Sequence, residues 1–109
     1  MQQLRASRLH ADIPVEVRIP TGEFHQVGRV RNLNTDGLLL EHDTPLKPGS
    51  SIGVEFPAGA GRGRMIVLGE VAWADRLRAG VKVCGMMPHH RVRYEKLVSN
   101  LQGGQTLLG

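Results

Sequence analysis

Residues 31–42 read RNLNTDGLLLEH. Two apolar, strand-like runs meet there across Asn32, Asn34, Thr35 and Asp36, and the polar cluster ends in Gly37. Asn, Asp and Gly mark chain reversals, because short polar side chains bond nearby backbone groups and glycine adopts a positive φ without steric cost. The stretch is therefore the turn of a β-hairpin. Two residues would close such a hairpin, so the longer polar turn leaves side chains over for another task.

Working outward, apolar residues recur at every second position, the signature of half-buried strands. In PVEVRI, Val15, Val17 and Ile19 share one face, and Glu16 and Arg18 share the other. The rhythm returns in FHQVGRVRNL, GLLLEH, SIGVEF, MIVLGEVAWA and AGVKVCGM, giving six strands. The connections PTGE, NTDG, DTPLKPG, PAGAGRGR and DRLRAG are too short for a crossover helix, so neighbouring strands pair antiparallel. Six short strands hide their edges by closing on themselves. After Pro88, Tyr94, Leu97, Val98 and Leu101 fall along one helical face. The expected fold is all-β, a six-stranded antiparallel barrel over residues 13–101 that includes a docked C-terminal α-helix. Residues 1–12 are expected to be a flexible, arginine-bearing arm, and residues 102–109 a flexible, Gly-rich tail.

The chain has 109 residues, the size of one domain. Its net charge is +4, with Lys and Arg together numbering 14 and Arg outnumbering Lys eleven to three. Guanidinium offers a planar fork of donors to phosphates and guanine edges, so this bias points to an anionic partner. No secretory leader follows Met1, no apolar run is long enough to span a bilayer, and a single cysteine forms no internal disulfide. The expectation is a cytoplasmic protein without membrane insertion.

Catalysis finds no support. Glu55, Glu70 and Asp75 make no recognisable pair, and no serine stands in a nucleophile elbow. Cys84, His89 and His90 lack a fourth ligand, and adjacent histidines converge poorly on one ion, so no metal is expected. AGAGRGR, residues 58–64, resembles a phosphate loop, but it leads into a strand and not a helix; a hairpin loop with Arg62 and Arg64 on it is the better reading. Extended nucleic-acid binding needs stacked aromatic rings, whereas Phe24, Phe56, Trp73 and Tyr94 do not lie one strand-face step apart, so neither DNA nor RNA is expected.

Two stretches remain, LRASRLHADIPV and NLNTDG. An arginine-bearing arm before the first strand, followed by an Asn-x-x-x-x-Gly turn after the second, resembles the PilZ domain family, whose pattern is RxxxR and then [DN]xSxxG. LKPGSSIGVEF and GEVAWADRLRAGVKV are similar to that family's later strands, including its Gly-x-Val-x-Trp strand, and the resemblance runs from about Leu4 to Leu101. Arg8 takes the second arginine position. The first falls on Leu4, with Arg5 as the nearest guanidinium, and the serine position holds Asn34; Asn32 and Gly37 match.

The resemblance implies a barrel with a C-terminal helix that acts as a cyclic di-GMP receptor, an effector and not an enzyme, with no cofactor beyond that ligand. The ligand-binding residues it implies are Arg5, Arg8, Asn32, Asn34 and Gly37, with Leu4 and Trp73 as additional candidate contacts. Arginine forks onto phosphate or guanine and stacks on purines. The amide of Asn34 replaces a hydroxyl, or folds back in an Asx turn, while Gly37 suits a positive φ or a close backbone approach. Because a one-residue shift in an extended arm reverses a side chain's face, Arg5 does not simply replace an arginine at position 4. The alternative is a degenerate adaptor that binds no nucleotide and works through protein contacts, for example in pilus or motility control.

Overall fold

Alternation sorts the side chains as the sequence requires. Val15 and Val17 are sealed inside while Glu16 and Arg18 face outward, and Val67 and Val71 are buried while Glu70 and Ala72 are exposed. The computed structural model describes residues 9–19, 25–43, 46–57 and 63–108, with side chains for 9–19, 26–43, 46–57 and 63–102. The elements are β1 (Leu9–Arg18), β2 (His25–Leu33), β3 (Gly37–His42), β4 (Ser51–Phe56), β5 (Met65–Ala74), β6 (Arg78–Gly85) and α1 (Pro88–Leu108). All strand pairs are antiparallel, and they close in the order β1-β2-β3-β6-β5-β4, the barrel expected from the sequence. Tyr94, fully buried, is the main anchor of α1, with Leu97, Val98 and Leu101 packed against the core beside it.

Two boundaries differ from the sequence reading. Strand β1 starts at Leu9, so residues 9–12 of the expected arm are strand, and the inward set Leu9, Ala11, Ile13 continues unbroken into Val15 and Val17. Pro14 hides this continuity, since proline argues against a strand interior. It is accommodated because β4 pairs with β1 only from Glu16 to Arg18, leaving that edge of β1 open at Pro14. Helix α1 also runs on to Leu108, into the segment 102–109 expected as a tail. Gly103 and Gly104 each cost about 1 kcal/mol of helix propensity relative to alanine, which weakens a helix without terminating it.

Local chemistry closes the turns. In Lys47–Ser50, Pro48 and Gly49 take the central positions of a type II turn; Gly49 has φ 88°, and Ser50 N–H donates to the Lys47 carbonyl at 3.1 Å. Between β5 and β6, Asp75 Oδ1 accepts from the N–H groups of Leu77 (3.0 Å) and Arg78 (2.8 Å), and these bonds hold its carboxyl below the ordinary range.

The β1–β4 seam carries a buried acid. Glu55 is 3% exposed and ion-pairs with Arg18 at 2.6 Å and with Arg64. Burial alone would raise its pKa, but the Arg64 hydrogen bond together with the charges of Arg18 and Arg64 outweighs it and holds the group below its ordinary value. Arg64, expected on a hairpin loop, is thus fastened to the seam. Inside the barrel, His42 follows Leu38 and Leu40 on the inward face, and neither of its ring nitrogens has a hydrogen-bond partner among the described residues.

Candidate functional site

The polar turn is built by Asn34. Its Oδ1 accepts from Asp36 N–H (2.8 Å) and Gly37 N–H (3.0 Å), while its own N–H donates to the Gly37 carbonyl at 2.9 Å. This is the Asx closure, so the amide at the motif's serine position organises the turn from within. Gly37 opens β3, and its φ is not positive; Gly49 is the only positive-φ residue among those described. What Gly37 provides is its backbone N–H and carbonyl, both used in closing the turn. Below it, the Tyr94 hydroxyl donates to the Asn34 carbonyl at 2.6 Å, tying the helix to the turn.

Register irregularities aim the neighbouring side chains. Val30 pairs with Leu40 and Asn32 with Leu39, so β2 holds one extra residue, Arg31, relative to β3. Such a bulge resets the alternation. Leu33 consequently falls inward opposite Leu38, both fully buried, and Asn32 falls on the outer face opposite Leu39. Continuing across the sheet, His10 pairs with Asn32, Leu39 with Gly80, and Gly80 with Trp73. One outer row therefore runs His10, Asn32, Leu39, Gly80, Trp73 through five strands. With strands about 4.8 Å apart, it is roughly 19 Å wide.

Trp73 lies flat along this row. A Cβ on Gly80 would sit 2.1 Å from its Nε1, so only a residue without a side chain lets the indole cross β6. The ring remains 43% exposed. Together with Asn34, Asp36, Gly37 and Lys82 it borders a groove of about 550 Å³. The structure thus brings three sequence-identified residues, Asn34, Gly37 and Trp73, to one groove, with Asn32 on the row beside it. Arg5, Arg8 and Leu4 lie outside the described residues.

Residues that the sequence reading did not select stand near the β1–β2 end of the row, outside the lining of that groove. One strand step from the row, Asp12 Oδ1 accepts from Arg29 (2.7 Å) and Arg31 (3.2 Å), and Arg31 Nε lies 3.6 Å from Glu41. His90 Nδ1, by contrast, accepts from Ile66 N–H at 3.3 Å on another face, and no group of three or more potential metal ligands occurs among the described residues. No helix among them is long and apolar enough to cross a membrane.

A family model, the PilZ domain, matches residues 2–103. The chain belongs to the PilZ family. The PilZ domain of CeSA from a cellulose-synthesizing bacterium, known from a crystal structure, superposes with a TM-score of 0.73 at 19% identity, covering 89% of this chain and 99% of that one. At that identity the likeness is one of fold. No curated protein matches the chain. PilZ domains are binding or adaptor domains, generally receptors for cyclic di-GMP. The PilZ strand pattern Gly-x-Val-x-Trp has a physical basis here: Val71 is buried in the core, a bulge follows it, and Trp73 emerges on the outer face over Gly80.

Proposed function

We propose that this PilZ domain binds cyclic di-GMP and acts as a non-enzymatic effector. The observation that carries this reading is the outer row, which sets a flat, half-open indole and an amide on one surface beside the glycine turn. A guanine stacked on Trp73 would present its edge toward the polar turn, and such stacking contributes about 1–3 kcal/mol per base. Asn32 supplies an amide for base or ribose. Arg8, with Arg5, supplies guanidinium groups that fork onto phosphate or onto guanine O6 and N7.

A second reading is supported by one contact. The Asn34 carboxamide oxygen is already engaged by two backbone N–H groups of its own turn, and Leu4 stands in the first arginine position. In that reading the domain is an adaptor that binds protein without nucleotide.

Trp73 is the only tryptophan in the chain, so its fluorescence reports on the groove directly. Titration with cyclic di-GMP, with GTP as control, is expected to quench Trp73 and to give matching calorimetric heat. No quench and no heat with cyclic di-GMP would leave the adaptor as the better account.

A further inference from the structure

The arm of this chain has Leu4 where the family pattern has its first arginine, with Arg5 one position on, yet two well-placed arginines stand on the folded barrel itself. Arg29 and Arg31 project from the outer face of β2, 51% and 43% exposed, and both are held by Asp12 of β1. We propose that Arg31 is a phosphate-binding residue at the β1–β2 end of the outer row and that Asp12 is the internal anion it leaves when ligand arrives. The proposal rests on the cyclic dinucleotide reading above and names a contact within it.

Position supports the assignment. Arg31 is the bulged residue immediately before Asn32, and its two acidic partners, Asp12 and Glu41, each lie two residues along their strands from row members His10 and Leu39. Two residues of strand span about 7 Å, within the sweep of an arginine side chain. Arg31 therefore points along the sheet toward Asp12 and Glu41, and a rotation of the same side chain carries the guanidinium to the row.

The energetics favour exchange. Asp12 is 63% exposed and Glu41 44%, and ion pairs this open to solvent contribute little and are screened by salt. A phosphodiester oxygen accepts the same forked donors as a carboxylate, so Arg31 trades one anion for another. Asp12 is not stranded by the move, since the shorter of its two contacts, 2.7 Å to Arg29, remains. Arg29 sits a further step from the row, opposite Pro14, and serves as the fixed partner.

The test is calorimetric titration of the full chain with cyclic di-GMP at two salt concentrations. Asp12→Asn is expected to tighten binding about two- to fivefold, by removing the competing carboxylate. Arg31→Ala is expected to weaken it roughly ten- to a hundredfold, and in that background Asp12→Asn should give no gain. Glu95→Gln, on the exposed side of α1, makes the same change in net charge and should leave affinity unaltered. Thermal melts of each variant confirm the fold. If the native chain binds but Arg31→Ala leaves affinity unchanged, or Asp12→Asn and Glu95→Gln act alike, the proposal is overturned while the receptor reading stands. No binding by the native chain or by any variant overturns both.

Discussion

Replacing Gly80 by alanine separates the stability of the barrel from the shape of its groove. The added Cβ would meet three atoms of one side chain, at 2.1 Å from Nε1, 2.7 Å from Cε2 and 2.8 Å from Cδ1 of Trp73. Overpacking of this kind costs about 1–3 kcal/mol in a closed core. Trp73 is 43% exposed and can swing outward, which places the cost at the low end, about 1 kcal/mol. Gly80 does not have a positive φ, so alanine also recovers about 0.4–1 kcal/mol by restricting the unfolded chain. The two nearly cancel, and the melting temperature should fall by no more than about 4 °C. The indole, however, is displaced from the row. Emission of this sole tryptophan should shift to the red, and cyclic di-GMP affinity should drop roughly fivefold to a hundredfold, the contribution of one stacked base. A variant with unchanged emission and unchanged affinity would refute both the placement of Trp73 and its role as a stacking surface.

Tyr94→Phe removes the hydroxyl bonded to the Asn34 carbonyl; a loss of about 0.5–1.5 kcal/mol is expected in denaturant unfolding, with faster amide exchange concentrated at residues 34–37. Glu55→Gln should destabilise by about 1–3 kcal/mol at neutral pH. Because the folded-state pKa of Glu55 lies below its ordinary 4.5, its ionised form stabilises the native state above that pH and the contribution is lost as pH falls through the lowered value. The native chain should therefore lose stability on acidification below about 4.5, more steeply than Glu55→Gln in parallel melts. His42→Leu replaces two buried nitrogens that have no partner among the described residues with apolar volume, and should be neutral or raise stability by up to about 3 kcal/mol; a marked loss in thermal melts would show that the imidazole has a structural role.

Period-two alternation was sufficient to place six strands, and the i, i+3, i+4, i+7 spacing of Tyr94, Leu97, Val98 and Leu101 was sufficient to dock the helix. Both signals are local, carried by residues that must face a core. The start of β1 was hidden by Pro14, whose tolerance depends on where β4 stops pairing, a fact about another strand. The site divides in the same way. Asn34 and Gly37 announce a turn wherever they occur, and Asn34 proved to cap it. That Trp73, Gly80, Leu39 and Asn32 share a row depends on three cross-strand registers and a bulge at Arg31, none of which adjacent residues encode. The Asp12–Arg31 contact joins residues on different strands and was invisible for the same reason.

The strand order has a consequence for how the domain is made. Hairpin β2–β3 carries the whole polar turn and can assemble as soon as its own residues exist, but the far neighbour of β3 is β6, and β1 closes on β4. Both closures must bring together strands far apart in the chain, and such non-local pairings place a barrel among the millisecond-to-second folders. Two of the five members of the outer row, Gly80 and Trp73, belong to β6 and β5, so during synthesis the early hairpin offers neither stacking surface nor groove. A molecule held across that row recognises the closed barrel and has no hold on the growing chain. It therefore stabilises the native state by mass action, about 2.7 kcal/mol at a hundred times its dissociation constant, without templating the route to it.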